Sequence, residues 1–293
     1  MATYTNFDDE IFSQSALEGF TATLVPLSAF STNYEPAGMP KGNTVLVPLI
    51  GALTATTFGG TYATTNGSLS AITITINRHK VIGVGQSDLD AAGSSIAQLE
   101  RFGFQQGQAL AIAVLQDIAS LWTTANFGLA TAVSVVDFGI AQIRAGRLAL
   151  SNGKAPLANR NMILDVNPFD NLLGISNFLQ VNLSGSQETL RDGRVGRALG
   201  FDIYESNGLP GTASVMGFMG HASSIAIAMR YLEPQSGHKY DIARMIADAT
   251  TGAVMGMRAH YDENTGNRFI NLEANYGYSV GISNGGRVIK RLD

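Results

Sequence analysis

With 293 residues, 45% of them hydrophobic, the chain can bury one large core or two modest ones, and no collagen period or low-complexity tract interrupts it. Charged residues make up only 14%, against ~25% in an ordinary soluble domain, so the surface suits burial against further copies of the same chain. The lack of cysteine excludes disulfides, thiolate metal sites and a cysteine nucleophile, and a net charge of −4 without a basic face argues against a sequence-reading nucleic-acid protein.

The N-terminus, MATYTNFDDE, is acidic where a secretory signal is basic. Apolar runs such as ALAIAVL (109–115) are too short to cross a bilayer, so no membrane partner is expected. Residues 1–77 carry five acids and one base, Lys41, while residues 191–293 carry eleven bases and ten acids. Residues 1–43, rich in Asn, Thr and Pro, read as an extended arm with a short helix near 10–20, packed on a neighbour for want of its own core. The acidic run Asp8-Asp9-Glu10 reads as part of a solvated arm.

Residues 44–85 read as a long hairpin. TVLVPLIG is an apolar, β-rich run, and AITITIN alternates strictly, with Ile72, Ile74 and Ile76 on one face. The Thr/Gly/Ser-rich stretch between them reads as the tip. A two-stranded ribbon is marginal alone in water, so it is expected to lie on another subunit. Residues 94–122 read as the strongest helix, with Leu110, Ala111, Val114, Leu115, Ile118, Leu121 and Trp122 on one side and Gly103 and Gly107 weakening its middle. A second helix fits 134–150, capped by Ser134, with Val136, Ile140 and Ile143 as its buried stripe, stopped by Asn152-Gly153.

NMILDV (161–166) reads as a buried strand, and NPFDNLLG opens a helix with Asn167 as cap and Pro168 at its first position. Further on, SSIAIAMRYLE reads as a strand, YDIARMIADAT (240–250) as a helix, and AVMGMRAHYDENTGNRFINLEANYGYSVGI as two strands joined at DENTGN. GRVIKRL closes the chain as a strand. The pattern is α+β, without the regular βαβ alternation of a doubly wound sheet.

No stretch assembles an active site. GVGQSD (83–88) half-matches a dinucleotide loop, but Asp88 stands where the third glycine belongs and would repel a pyrophosphate. Asp262, Asn264 and Glu273 sit at calcium-loop positions one, three and twelve, yet the glycine falls at position five and the flanks read as strands. His221 lies near Ser223 and Ser224 without a nucleophile motif. Catalytic, cofactor and metal residues are therefore none. What remains is RDGRVGRALGFDIYESNGLP (191–210), with Arg191, Arg194 and Arg197 among glycines that disfavour a helix. Arginine's planar fork suits carboxylates at an interface as readily as phosphates, so ion pairs and nucleic-acid contact both stay open for these three.

The order of these elements resembles the major capsid proteins of tailed bacteriophages, the Hong Kong 97-like shell fold. RDGRVGRALGFDIYESNGLP resembles the family's passage into a central-domain strand, and FINLEANYGYSVGISNGGRVIK its terminal strands. The resemblance covers the whole chain. It implies an N-terminal arm (1–43), an extended hairpin or E-loop (44–85), a peripheral domain with a spine helix (86–130 and 227–282) and an axial domain (131–226 and 283–293). It implies a non-catalytic shell protein that self-assembles as pentamers and hexamers around double-stranded DNA, in a virion assembled in the host cytoplasm. The encapsulin-type nanocompartment is the alternative.

On the same resemblance Arg191, Arg194 and Arg197 become structural or interface contacts, and the other partners are a portal protein, a separate scaffolding protein and weakly bound DNA, with decoration proteins left open. A separate scaffold is expected because a hairpin starting near residue 44 leaves no room for a long scaffolding segment ahead of it. Covalent locking is not expected: residues 42–79 contain no lysine, Asp or Glu, and Lys41 and Lys80 flank the hairpin only at its base.

Overall fold

The computed structural model describes residues 5–28, 31–33, 42–50, 57–60, 69–93, 96–175, 196–209, 215–248 and 252–292. Two six-stranded sheets and a helix pair account for most of them.

The helix pair is α1 (Thr5–Ser28) and α3 (Ile96–Ala119), and α1 corrects the expectation of an extended arm. Phe12, Ala16, Phe20 and Leu24 recur at four-residue spacing and are all buried. Each large side chain so covered contributes about 1.5–3 kcal/mol. Contacts advance in step along both helices, from Ser15 Oγ donating to the Glu100 carbonyl at 2.6 Å to Gly107 against Ala16 and Phe20, so the two run in the same direction. Glycine permits the approach. A Cβ at Gly107 would overlap the Ala16 carbonyl oxygen, one at Gly19 would overlap that of Phe104, and one at Gly103 would lie 2.7 Å from that of Phe12. The glycines that weaken α3 as an isolated helix are the surface that receives α1.

Nearer its C-terminus α3 buries Leu110, Val114, Leu115 and Ile118, as their spacing predicts, and Trp122 is buried just past its end. They pack on the first sheet, built from β1 (Ser31–Asn33), β4 (Arg78–Ser87), β10 (Ile225–Arg230), β11 (Ile242–Ala247), β12 (Val254–Asp262) and β13 (Asn267–Val280). β13 is its axis. Glu273 faces Val81 of β4 and Gly256 of β12, while Tyr276 faces Arg78 of β4 and Met229 of β10. One edge of β13 therefore carries β4, and the other carries β12 and β10 in succession. β1 adds to β10 in parallel, and β11 adds to β12.

β11 corrects the helix expected over 240–250. Its six residues pair from Ile242↔Ala259 to Ala247↔Val254. So short a segment is marginal as a helix, whereas β12 offers a complete ladder. β12 and β13 form the expected two strands, turning at Asp262–Gly266. Asp262 takes the Asn264 N–H and the Thr265 hydroxyl, and Glu273 lies far along β13, so the calcium-loop positions form a hairpin turn.

β2 (Thr44–Ile50) and β3 (Leu69–Thr75) form a separate ribbon, in register from Thr44↔Thr75 to Ile50↔Leu69. It ends at Thr75, because β4 leaves it for the first sheet. Val47, Ile74 and Ile76 are buried against Ala226 and Ala228 of β10, so the ribbon's root lies on its own subunit. α2 (Asp88–Gly93) follows β4, and GVGQSD is a strand running into this helix. The Asp88 carboxylate accepts the Tyr261 hydroxyl at 2.8 Å.

The second sheet runs β5-β14-β9-β6-β8-β7, from β5 (Leu129–Val133), β6 (Arg160–Leu164), β7 (Arg197–Ala198), β8 (Phe201–Glu205), β9 (Val215–His221) and β14 (Gly286–Arg291). α5 (Ile140–Asn152) and α6 (Val166–Leu173) bury Ile143, Leu150, Phe169 and Leu172 in its core. The helix expected from 134 starts later. Ser134 donates to the Asp137 carboxylate at 2.6 Å, Val136 is 81% exposed, and the Gly139 N–H is met by the Gln142 side chain. Its stop at Asn152-Gly153 is as expected, whereas α6 begins at Val166, one residue ahead of the expected cap. β9, with Met216–Gly220 buried, has no counterpart among the elements read from sequence. α4 (Thr124–Phe127) links α3 to β5. Trp122 stacks on Phe218 at 5.2 Å and Phe127 meets it edge-on at 4.9 Å, which joins the two sheets through one aromatic cluster.

Candidate functional site

Among the described residues no group of three or more His, Asp or Glu is placed to hold a metal. His221 Nδ1 lies 2.8 Å from Ser223 Oγ, but Ser224 Oγ donates back to the His221 carbonyl, which makes the trio a closed turn after β9. Burial, and then the nearby Arg160, hold the His221 imidazolium below its ordinary range. The features left to carry function are the ribbon, its root, and the arginine segment.

The ribbon's seven paired positions span about 23 Å at ~3.3 Å per residue. Its two faces differ. Val47 and Ile74 are buried at the root, whereas Leu46 is 66% exposed and Phe58, in the connection, is 63% exposed.

The root is clamped by charge. Lys80 reaches Asp117 of α3 at 3.3 Å, and the Tyr276 hydroxyl donates to the same carboxylate at 2.8 Å. Burial, then the bond to Asp117, push the Tyr276 phenol well above its ordinary range, so it stays protonated as the donor. Glu273, 6% exposed, is held between His79 at 3.1 Å and Arg258 at 2.8 Å. Burial opposes the Arg258 charge, but bonding to Tyr240 and Glu273 outweighs it and raises the guanidinium above its ordinary range. These pairs tie β4 to β12, β13 and α3 just where the ribbon departs.

A second clamp holds α1. Asp9 is 2% exposed, and Arg268 Nη2 donates to both its carboxylate oxygens, at 2.8 and 2.7 Å. Arg244 donates to the Asp9 carbonyl and, at 2.6 Å, to Ser13 Oγ. Asp9 is thus a buried partner and not part of a solvated acidic run. The partners are 259 residues apart, and no local signal in the sequence announces the pair.

Of the three candidate arginines, Arg191 and Arg194 lie outside the described residues. Arg197 starts β7 and faces Asp202 of β8 at 3.7 Å across a turn whose Leu199 and Gly200 have φ of 53° and 89°. Both side chains are largely exposed, so the pair contributes about 0–1 kcal/mol.

Lys80 is engaged at the ribbon's root, and Lys41 lies outside the described residues. Boiled in SDS, the chain is therefore expected to run as one band near 30.9 kDa whatever it assembles into. A ladder of multiples that survives boiling would overturn this and point to Lys41 or Lys80 as the donor.

No protein-family model matches the sequence, and no characterised protein matches it. Solved structures do. A chain from Mycobacterium phage Che8 aligns at 21% identity over 85% of both chains, with a TM-score of 0.59. The capsid of cyanophage P-SCSP1u aligns at 14% identity over 90% of this chain and 87% of that one, with a TM-score of 0.63. The mature capsid of bacteriophage PhiM1 aligns at 13% over 90% and 86%, with a TM-score of 0.57. At these identities the likeness is one of fold, and it runs through nearly the whole length of each chain. The chain has the mixed α+β fold of phage capsid shells, as its order of elements led us to expect.

Proposed function

We propose that this chain is the major capsid protein of a tailed bacteriophage, assembling with copies of itself into an icosahedral shell around double-stranded DNA, without catalysis. The observation that carries the reading is the near-complete alignment, in both directions, with capsid structures of phages. The ribbon and the low charge support it: each subunit of such a shell touches many neighbours, and rings about five-fold and six-fold axes close through heterologous contacts. On this reading the first sheet with α3 is the peripheral domain and its spine, the second sheet is the axial domain, and β2–β3 is the E-loop. Arg191, Arg194 and Arg197 then lie in the axial domain as structural or subunit contacts. A separate scaffolding protein and a portal complete the assembly in the host cytoplasm.

The test is expression of the full chain, alone and with its cognate scaffold, followed by size exclusion and negative-stain microscopy. Shells, capsomers or aberrant shell-like particles are expected. A monodisperse monomer under every condition, scaffold included, would sink the proposal. Shells that co-purify with an enzyme carrying a docking peptide would instead identify a nanocompartment.

A further inference from the structure

Cations are treated differently around the two sheets. At the first, His79, Lys80, Arg258 and Arg268 each face a carboxylate, at 3.1, 3.3, 2.8 and 2.7 Å. Around α5 the reverse holds. Residues 138–164 contain Arg144, Arg147, Lys154 and Arg160 and no Asp or Glu. Arg287 of β14 joins them. None of these five makes an ion pair among the described residues.

Arg160 and Arg287 meet the end of α5. Arg287 Nη2 donates to the Ala149 carbonyl at 3.3 Å in the last turn of α5. Arg160 donates to Ser151 Oγ at 3.1 Å, to the Ala155 carbonyl at 2.9 Å and to the Pro156 carbonyl at 2.8 Å, just beyond that turn. Arg287 thus meets a carbonyl at the helix C-terminus, where partial negative charge collects, while Arg160 bonds the Ser151 side chain there and two carbonyls just beyond it. Arg160 is 3% exposed and makes no ion pair among the described residues. Burial, then Arg147, hold its guanidinium below the usual arginine range. Arg144 and Arg147 are exposed and three residues apart, so they share one face of α5. Positions three and four residues from either hold no acid to offset their repulsion. Leu148 shares that face, but one exposed leucine does not make an apolar docking surface.

We propose that this face of α5, with Lys154 just past its C-terminus, is where the shell protein touches the phosphate backbone of packaged double-stranded DNA, an inference that rests on the capsid reading. An uncompensated cation cluster on a chain of net charge −4 calls for an anionic partner. Guanidinium groups fit phosphate oxygens without reading sequence. Arg160 and Arg287 are spent on carbonyls and supply field, which leaves Arg144, Arg147 and Lys154 as contacts. Three phosphate contacts predict weak binding that loses about 40-fold in affinity between about 50 and 200 mM salt.

The experiment measures fluorescence anisotropy of a labelled random-sequence DNA duplex with the full chain across that salt range. R144Q/R147Q is expected to bind more weakly at low salt and to lose only about 3–4-fold over the range, having one contact left. R101Q/K239Q, with the same change in net charge at exposed positions elsewhere, is expected to match the parent. The proposal is overturned if the parent does not bind at low salt, if R144Q/R147Q keeps the parent's affinity and salt slope, or if polyglutamate competes with the duplex for the parent, which would mark an acidic protein partner. Microscopy of the same preparations separates this from the capsid reading. A parent that binds DNA through α5 yet never forms particles sinks the capsid reading alone, and particles indifferent to DNA at α5 sink this inference alone.

Discussion

Removing Thr56–Ser68 from the ribbon is expected to abolish particle formation while leaving a folded subunit in solution. The register runs from Thr44↔Thr75 to Ile50↔Leu69, so the deletion begins beyond the last paired residue of β2 and stops before the first of β3. Residues 51–55 remain to close the turn, a length common in hairpins. Shortening the connection from residues 51–68 to five residues changes the closure entropy by about 1 kcal/mol in the subunit's favour. The anchoring contacts survive, because Val47, Ile74 and Ile76 pack on Ala226 and Ala228. What is lost includes Phe58, which is 63% exposed. Circular dichroism and thermal melting should match the parent, and electron microscopy should show no shells. An insoluble deletant would place the tip in the fold, and normal shells would remove the ribbon from assembly.

Gly107→Leu should separate α1 from α3. The new Cβ would fall on the Ala16 carbonyl oxygen, a backbone atom that cannot rotate away, and the rest of the side chain would have nowhere to go. Overpacking of this kind costs about 3 kcal/mol at the upper end of its usual range. For a chain of this size that lowers Tm by about 6–12 °C. Undocking also strips Phe12, Phe20 and Leu24 of their cover and draws Asp9 away from Arg268, so α1 should become the first site of proteolysis. Gly93→Ala is the control. Its Cβ meets nothing within 4 Å and its backbone is helical, so it should leave Tm unchanged or raise it slightly. A parent-like Tm and protease pattern for Gly107→Leu would show that α1 does not rest on α3.

The stretches most legible in the sequence carry their own periodicity. The alternation Ile72, Ile74, Ile76 marked a strand with one buried face, and the stripe from Leu110 to Trp122 marked the long helix, since burial on one side imposes a period of two or 3.6 on any chain that folds that way. The turn at Asp262–Gly266 was legible through its side chains, which bond their own backbone. Of the candidate arginines, the structure pairs Arg197 with Asp202, and the other two lie outside the described residues. The clamps at the ribbon root and on α1 were not legible. Glu273 and His79 are 194 residues apart, and Asp9 and Arg268 are 259 apart.

Composition, the long helix α3 and the ribbon of β2 and β3 were legible in the amino-acid sequence alone, because they rest on residue type, local period and turn chemistry. Three things waited for the tertiary structure. The segment 5–28 is a helix because α3 offers a glycine-lined groove that no local window contains. Ile242–Ala247 is a strand because β12 completes its hydrogen bonds, which outweighs a weak helical preference over six residues. Among the described residues Arg144 and Arg147 of α5 make no ion pair while Lys80 of β4, Arg258 of β12 and Arg268 of β13 do, since pairing depends on which distant carboxylates the fold brings within reach.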